Sequence, residues 1–190
     1  MKIALLQIQD MFFGIGITDK GLALLTLPYN CKQDTTAALE AELNRIKKKD
    51  KNFAYNEVEL ENSLLKRIAD SLTKYFKGNV VDFSDIPLDL APHGLTNFQD
   101  TILREIITIS YGKICTYKWL AEAINNSKAV RAVGQAVGRN PIPIIIPCHR
   151  IVGSDGSLTG FSGGLDKKKF LLNLEGINAD DSLAKINVIS

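Results

Sequence analysis

Residues 140–152 read Asn-Pro-Ile-Pro-Ile-Ile-Ile-Pro-Cys-His-Arg-Ile-Val, and this stretch constrains the fold of the chain more than any other. Pro141, Pro143 and Pro147 each remove a backbone donor and fix one torsion, which suits neither a central strand nor a helix interior. Ile144, Ile145 and Ile146 are too short a run for an independent helix but suit a buried extended segment. The expectation is a rigid, buried lead-in that delivers one sulfur, that of Cys148, to a largely dry place with little freedom.

Pro147 as the first residue of a short helix would set the Cys148 thiol near the positive end of a dipole and favour thiolate. His149 offers a base, or a proton acceptor through a water. In an arbitrary chain such a pair is a buried, inert cysteine beside a surface histidine. The flanking sequence has to decide between the two.

Residues 117–139 carry two helical patterns separated by a polar turn, the spacing of a helix-turn-helix. Thr116 is placed to cap the first helix, whose apolar positions Leu120, Ala121 and Ile124 fall on one face, and residues 125–127 end it and cap the next. In the second helix Ala129, Ala132, Val133, Gly134 and Ala136 are small, and Gly134 costs about 1 kcal/mol relative to alanine. A helix that gives up propensity for a slim surface serves close approach by another backbone or a ligand. Arg131 projects from it with Lys128 and Arg139 on either side, a face able to carry a cation into a duplex. A tightly packed core helix with solvated arginines accounts for the same pattern equally well.

Charge is consistent with the first reading but does not demand it. Residues 1–95 hold 12 Lys and Arg against 13 Asp and Glu, and residues 96–190 hold 11 against 8, so the surplus behind the net +2 lies in the half with the helix-turn-helix. The surplus is small enough to be an ordinary surface, and it implies salt-sensitive but modest phosphate binding. With 190 residues, 45% of them hydrophobic, the chain can bury a substantial core in one or two domains. No run reaches the length of a membrane span, and Gln7, Gln9 and Asp10 interrupt the first apolar run, which argues against a signal peptide. Cysteines at 31, 115 and 148 form neither a disulfide framework nor a paired metal spacing, so a reducing cell interior is expected.

In the first half, residues 2–8, 11–17 and 22–27 read as short strands, with residues 18–21 as a turn. Helical patterns follow at 35–48 and 57–76, the latter ended by Gly78. The basic run at 47–51 reads as a solvated helix end, although it is also able to touch phosphates. Residues 83–94, with Pro87, Pro92 and Gly94, read as a linker. The resulting fold class is mixed α/β (α+β): a small strand-and-helix domain at 1–86, then a mostly helical domain at 96–177 with a helix-turn-helix and a buried cysteine.

Five segments carry a resemblance: Arg-Ala-Val-Gly at 131–134, Asn-Pro at 140–141, Pro-Cys-His-Arg at 147–150, Gly-Phe-Ser-Gly-Gly at 160–164 and Leu-Glu-Gly at 174–176. In order and spacing they resemble the O6-alkylguanine-DNA alkyltransferase family over residues 96–177. The resemblance implies a single-turnover repair protein that moves an alkyl group from O6-alkylguanine in double-stranded DNA onto its own Cys148. It implies that His149 and Glu175 draw the thiol proton away through a water, that Tyr117 donates to the leaving base, and that Asn140 fixes the active-site turn. Arg131 becomes the finger that fills the gap left by a flipped base. The helix bearing Lys128, Ala132, Gly134 and Arg139 then enters the minor groove, where readout is weakly sequence-dependent. Ser162 and the backbone around Cys148 and Ile151 border the base pocket, with Pro143 as an apolar wall and Phe161 part of the same pocket.

Taken without the resemblance, Glu175 is an ordinary carboxylate near the end of a helix over 167–174, Tyr117 an amphipathic residue opening a helix, and Asn-Pro a turn. Many relatives have tyrosine where this chain has Phe161, which removes a hydroxyl able to bond the base. Some relatives hold zinc in the first domain, but here only Cys31 and His93 stand ready to begin such a site, so no metal and no cofactor is expected. The implied protein is a monomer with no membrane partner, cytoplasmic, or nuclear in a eukaryote. Two other classes compete: a non-catalytic alkylation-damage sensor or DNA-binding regulator, and a cysteine hydrolase unrelated to DNA. Neither Cys31 nor Cys115 has an evident resolving role, which speaks against repeated turnover.

Overall fold

The computed structural model describes residues 1–59 and 62–179, and the tail beyond 179 lies outside it. The chain divides into two compact units, Met1–Leu95 and the residues from Thr96 on. It is a mixed α/β protein, with its longer strands in the first unit and a mostly helical second unit.

In the first unit β1 (Lys2–Ile8), β2 (Met11–Thr18) and β3 (Gly21–Leu25) form an antiparallel meander. A short β4 (Asn56–Glu57) joins parallel to β1, giving the order β3-β2-β1-β4. Along β2, Phe13, Ile15 and Ile17 alternate with Gly14 and Gly16, so one face is bulky and the other bare. The bare face takes α1 (Lys32–Lys49): a Cβ at Gly14 would lie 3.0 Å from the Leu39 Cβ. Leu39, Leu43 and Ile46 of α1 pack there with Ile3 and Leu24. On the bulky face α2 (Ser63–Phe76) brings Phe76 to within 5.3 Å of the Phe13 ring.

The three strands expected from the sequence are present within a residue or two of their limits. The helix expected at 57–76 starts later, at Ser63. Residues 56–58 instead pair with β1, and the Asn62 side chain accepts from the amides of Leu64 and Leu65 to begin the helix. The basic end of α1 is partly engaged, since the Lys49 ammonium donates to the carbonyls of His93 and Gly94.

The stretch expected as a linker is instead laid along the outer edge of β3. The Leu22 amide donates to Pro87, the Asp89 amide donates to Leu22, and the Thr18 hydroxyl donates to the Asp89 carboxylate at 2.7 Å. The buried His93 ring donates to the Ala23 carbonyl at 2.7 Å. This covers an edge that would otherwise present open backbone groups.

The second unit opens with α3 (Asn97–Ile107), which begins with a reciprocal capping box between Thr96 and Gln99. A short β5 (Cys115–Thr116) runs into α4 (Tyr117–Ala123), where the Thr116 hydroxyl accepts from the Trp119 amide as expected. The next helix is not capped by Ser127. A single 3-10 turn, Ser127–Ala129, leads into α5 (Val130–Val137), which packs its Val133, Ala136 and Val137 side inward beside α3 and α4. The parallel partner of β5 is β6 (Ile151–Val152), and α6 (Leu165–Leu174) completes the unit. Leu172 of α6, Ile177 and Ala179 share a core with Ile114 and Val152.

The closest approach in the first unit lies at Gly21, where φ is +149° and an added Cβ would sit 2.2 Å from the Pro87 carbonyl oxygen. Gly21→Ala should therefore cost on the order of 2–3 kcal/mol in urea denaturation, because it pries the 86–89 segment from β3. Gly78→Ala, at φ +79° with nothing within 4 Å, should cost only about 1 kcal/mol. Equal losses would contradict the edge-covering role of residues 86–89.

Candidate active site

The proline-rich segment is buried as expected but is not extended. It folds into turns with one bridge between Pro143 and Ile146, and Ile144 adopts φ +76°, an unusual conformation for a β-branched residue. The Asn140 side chain holds this turn. Its carbonyl accepts from the Ile142 amide at 3.0 Å, and its NH2 donates to the Ile146 carbonyl at 2.7 Å and to the Cys148 sulfur at 3.0 Å. A strained loop and the nucleophile are thus fixed by one amide, a common feature of reactive sites.

Cys148 is 5% exposed and opens a single 3-10 turn, Cys148–Arg150, behind Pro147. One turn is too short to supply the helix dipole that the sequence suggested. Burial pushes the thiol up. The Asn140 amide, the positive charge of Lys168 and the amides of Cys148 and His149 oppose that push. The factors favouring thiolate are therefore specific donors and one cation.

His149 is fully buried, and its Nε2 lies 2.8 Å from Glu175 Oε1. Burial drives the imidazole toward its neutral form, against the pull of Glu175. Glu175 follows the last turn of α6, and its side chain is fully buried. Burial pushes this carboxyl up too. Hydrogen bonds from His149 and Arg150, together with their charges, outweigh the burial and bring it down to about 2. The carboxylate is therefore ionised and can only accept, so Nε2 carries the proton and Nδ1 is the basic nitrogen.

Arg150, to which sequence reasoning gave no role, is the chief partner of that carboxylate. Its Nε donates to Oε2 at 2.9 Å, its NH2 donates to Oε1 at 2.8 Å, and its NH1 donates to the Ile109 carbonyl. The Gly112 amide adds a donor to Oε2 at 3.2 Å, and the Tyr111 hydroxyl donates to the Leu174 carbonyl beside it. Lys168 was also missed. It is fully buried on α6, and its ammonium donates to the carbonyls of Ile151 and Thr159. The signal for Arg150 was its place in Pro-Cys-His-Arg, whereas Lys168 sits in a run of three lysines that reads as solvent-facing.

Tyr117 begins α4, with its hydroxyl against the carbonyls of Thr159 at 3.3 Å and Gly160 at 3.2 Å. Burial first, then the nearby sulfurs of Cys148 and Cys115, push the phenol up to about 12, so it stays a donor. A Cβ added at Gly134 would meet this ring at an ordinary 3.9 Å, so no backbone presses on α5 there. Lys128, Arg131, Ala132 and Arg139 are exposed, and none of the ion pairs among the described residues engages these three cations. Pro143 and Phe161 are half-buried and Ser162 is exposed. The Ile151 side chain is fully buried, and its backbone lies in the pairing of β6 with Cys115.

Cys115 is buried and pushed up to about 12, first by burial, which leaves it inert. Cys31 caps α1 by accepting from the Asp34 amide, and His93 is held by Ala23. Among the described residues no cluster of three His, Cys, Asp or Glu side chains is placed to hold a metal. No described helix is long and apolar enough to cross a membrane.

A strained turn, a buried cysteine and a histidine bonded to a carboxylate, set behind a helix-turn-helix, define a class of DNA-associated cysteine proteins, and comparison with known proteins narrows it. Residues 97–177 match the 6-O-methylguanine DNA methyltransferase DNA-binding domain, and residues 32–90 match the ribonuclease-like domain of the same proteins. The methylated-DNA–protein-cysteine methyltransferase of Haemophilus influenzae is 54% identical over 114 residues, 60% of this chain and 62% of that protein. The Methanosarcina barkeri protein of the same name is 51% identical over 58% of this chain and 67% of its own length. The crystal structure of Mycobacterium tuberculosis OGT in complex with DNA superposes with a TM-score of 0.72 at 29% identity, covering 97% of this chain and 98% of that one. The chain belongs to the O6-methylguanine-DNA methyltransferase family.

The Glu175 carboxyl is held below its unfolded value of 4.5, so its stabilisation is complete above that pH and is lost as the pH falls toward about 2. The two buried imidazoles, held below 6.5, act with the same sign from pH 6.5 downward. Glu175→Gln strands the Arg150 charge and should cost about 3–5 kcal/mol at neutral pH. Its deficit against the parent chain should shrink between pH 4.5 and about 2, as measured by urea titration at each pH. A deficit that does not change over this window would show that the ion pair is not the source of stability.

Proposed function

We propose that the chain is a self-inactivating repair protein that transfers the alkyl group from O6-alkylguanine in duplex DNA to the sulfur of Cys148. The observation that carries this reading is the 2.8 Å bond from His149 to an ionised Glu175, made within one residue of the cysteine. The carboxylate fixes the imidazole with Nδ1 basic. The thiol proton passes to Nδ1 through a water, and the sulfur attacks the alkyl carbon in line as the bond from carbon to guanine oxygen breaks. Negative charge then grows on the base, where Tyr117, held protonated, donates. Asn140 holds the sulfur, and Phe161, Ser162 and Pro143 flank the base.

A stacked guanine cannot reach a sulfur that is 5% exposed, so the nucleotide is flipped, and Arg131 from α5 fills the vacated stack. Lys128 and Arg139 bind phosphate, while Ala132 and Gly134 keep the helix slim in the minor groove. Residues 96–177 carry binding and transfer, residues 1–86 a structural role, and the protein acts as a monomer inside the cell. The sensor alternative is not favoured, because the cysteine and its partners are all in place.

Intact-mass measurement after incubation with methylated-guanine duplex should show one added methyl per chain, mapped to Cys148. Cys148→Ser should show none, and repeated turnover would overturn the reading. Tyr117→Phe should slow transfer by roughly 10²–10³-fold. Arg131→Ala should lose transfer from duplex yet keep transfer from free O6-methylguanine base, because only the duplex requires flipping. Equal losses on both substrates would remove the finger role.

A further inference from the structure

Lys168 is a buried charge to which the repair chemistry assigns nothing. Its side chain is fully buried, and Nζ rests on two backbone carbonyls, those of Ile151 and Thr159. Among the described residues no carboxylate forms an ion pair with it. Among the described residues, the carboxylate of the site, Glu175, is already matched by Arg150. A buried ammonium without a counter-charge is costly, and such groups persist where a negative charge forms opposite them. Of the groups around Lys168, Tyr117 shares the Thr159 carbonyl with it and stays protonated, and His149 is driven toward neutrality. That leaves Cys148, which opens the turn running directly into Ile151, the residue whose carbonyl holds Nζ, and the positive charge of Lys168 opposes the burial that pushes the thiol up.

Resting on the transfer reading above, we propose that Lys168 is the counter-cation of the Cys148 thiolate, held in place by its bonds to the carbonyls of Ile151 and Thr159. When the S–H bond breaks, the proton leaves through His149 and the electron pair on sulfur faces Lys168. The buried site then contains two matched pairs, Arg150 with Glu175 and Lys168 with Cys148. Alkyl transfer forms the S–C bond, converts the sulfur to a neutral thioether and leaves Lys168 unmatched. Lys168 is a positioning residue, acting on the nucleophile without touching the base. Burial brings its ammonium down to about 8, against the pull of Cys148, so the counter-charge is lost as the pH rises through that value.

The test is a thiolate absorbance titration of the full chain without DNA, with Cys148→Ser subtracted to remove Cys31 and Cys115. Lys168→Met should raise the Cys148 midpoint by at least about one pH unit, about tenfold less thiolate at neutral pH, while Lys168→Arg should restore the parent value. An unchanged midpoint in a folded Lys168→Met chain overturns the proposal. Should that variant not fold, Lys168 is titrated by nuclear magnetic resonance in the parent chain and in Cys148→Ser. Linkage is reciprocal, so loss of the sulfur's charge must lower the ammonium's pKa, and equal values overturn the proposal. Methyl transfer from duplex is measured separately. A shifted midpoint in a parent chain that never accepts methyl would sink the repair reading while leaving the counter-ion in place.

Discussion

The second unit is organised around the buried contact between Arg150 and Glu175. Arg150 leaves the active-site turn and Glu175 leaves the end of α6, and their two hydrogen bonds tie these elements together inside the core. Burial alone would protonate the carboxyl and silence it as a partner for histidine. The guanidinium fork reverses this, and the ionised carboxylate then sets the tautomer of His149. The Gly112 amide and Tyr111 hydroxyl extend the same network to the turn before β5. The tautomer of His149, the neighbour of Cys148, depends on an ion pair that does not touch the sulfur.

A second constraint is conformational. The segment before Cys148 has few backbone donors, because three of its residues are proline, and it contains an isoleucine in the left-handed region. Such a loop is not self-supporting, and the Asn140 amide supplies what is missing by accepting from one end and donating to the other. The same NH2 group reaches the sulfur, so loop geometry and thiol environment are set together. On the far side, Tyr117 and Lys168 converge on the Thr159 carbonyl and fix the loop bearing Phe161 and Ser162. This loop is thus held from two elements, α4 and α6.

Particular residues show where sequence reasoning succeeds and where it stops. The strands at 2–8 and 11–17 and the cap at Thr116 are written in local signals and match the structure, whereas the cap expected from residues 125–127 does not form and the capping box at Thr96 went unnoticed. The start of α2 was misplaced because residues 56–58 are claimed by β1, a partner some 55 positions earlier in the chain. The proline-rich run was expected to be extended, since Ile144 at positive φ has no sequence signature. The thiol was expected to gain from a helix dipole, but the helix is a single turn and burial acts the other way.

The sequence by itself determined the cysteine, its neighbouring histidine, the asparagine eight residues before and the glutamate at a helix end, because family motifs and local periodicity are written in order along the chain. It also determined the slim helix that carries Arg131. Only the tertiary structure decided which charges meet. Arg150 finds Glu175 across 25 positions, and Lys168 turns inward from a run of lysines that looks solvent-facing. Charges in a low-dielectric interior are set by distance and desolvation, and neither quantity exists until the chain has folded.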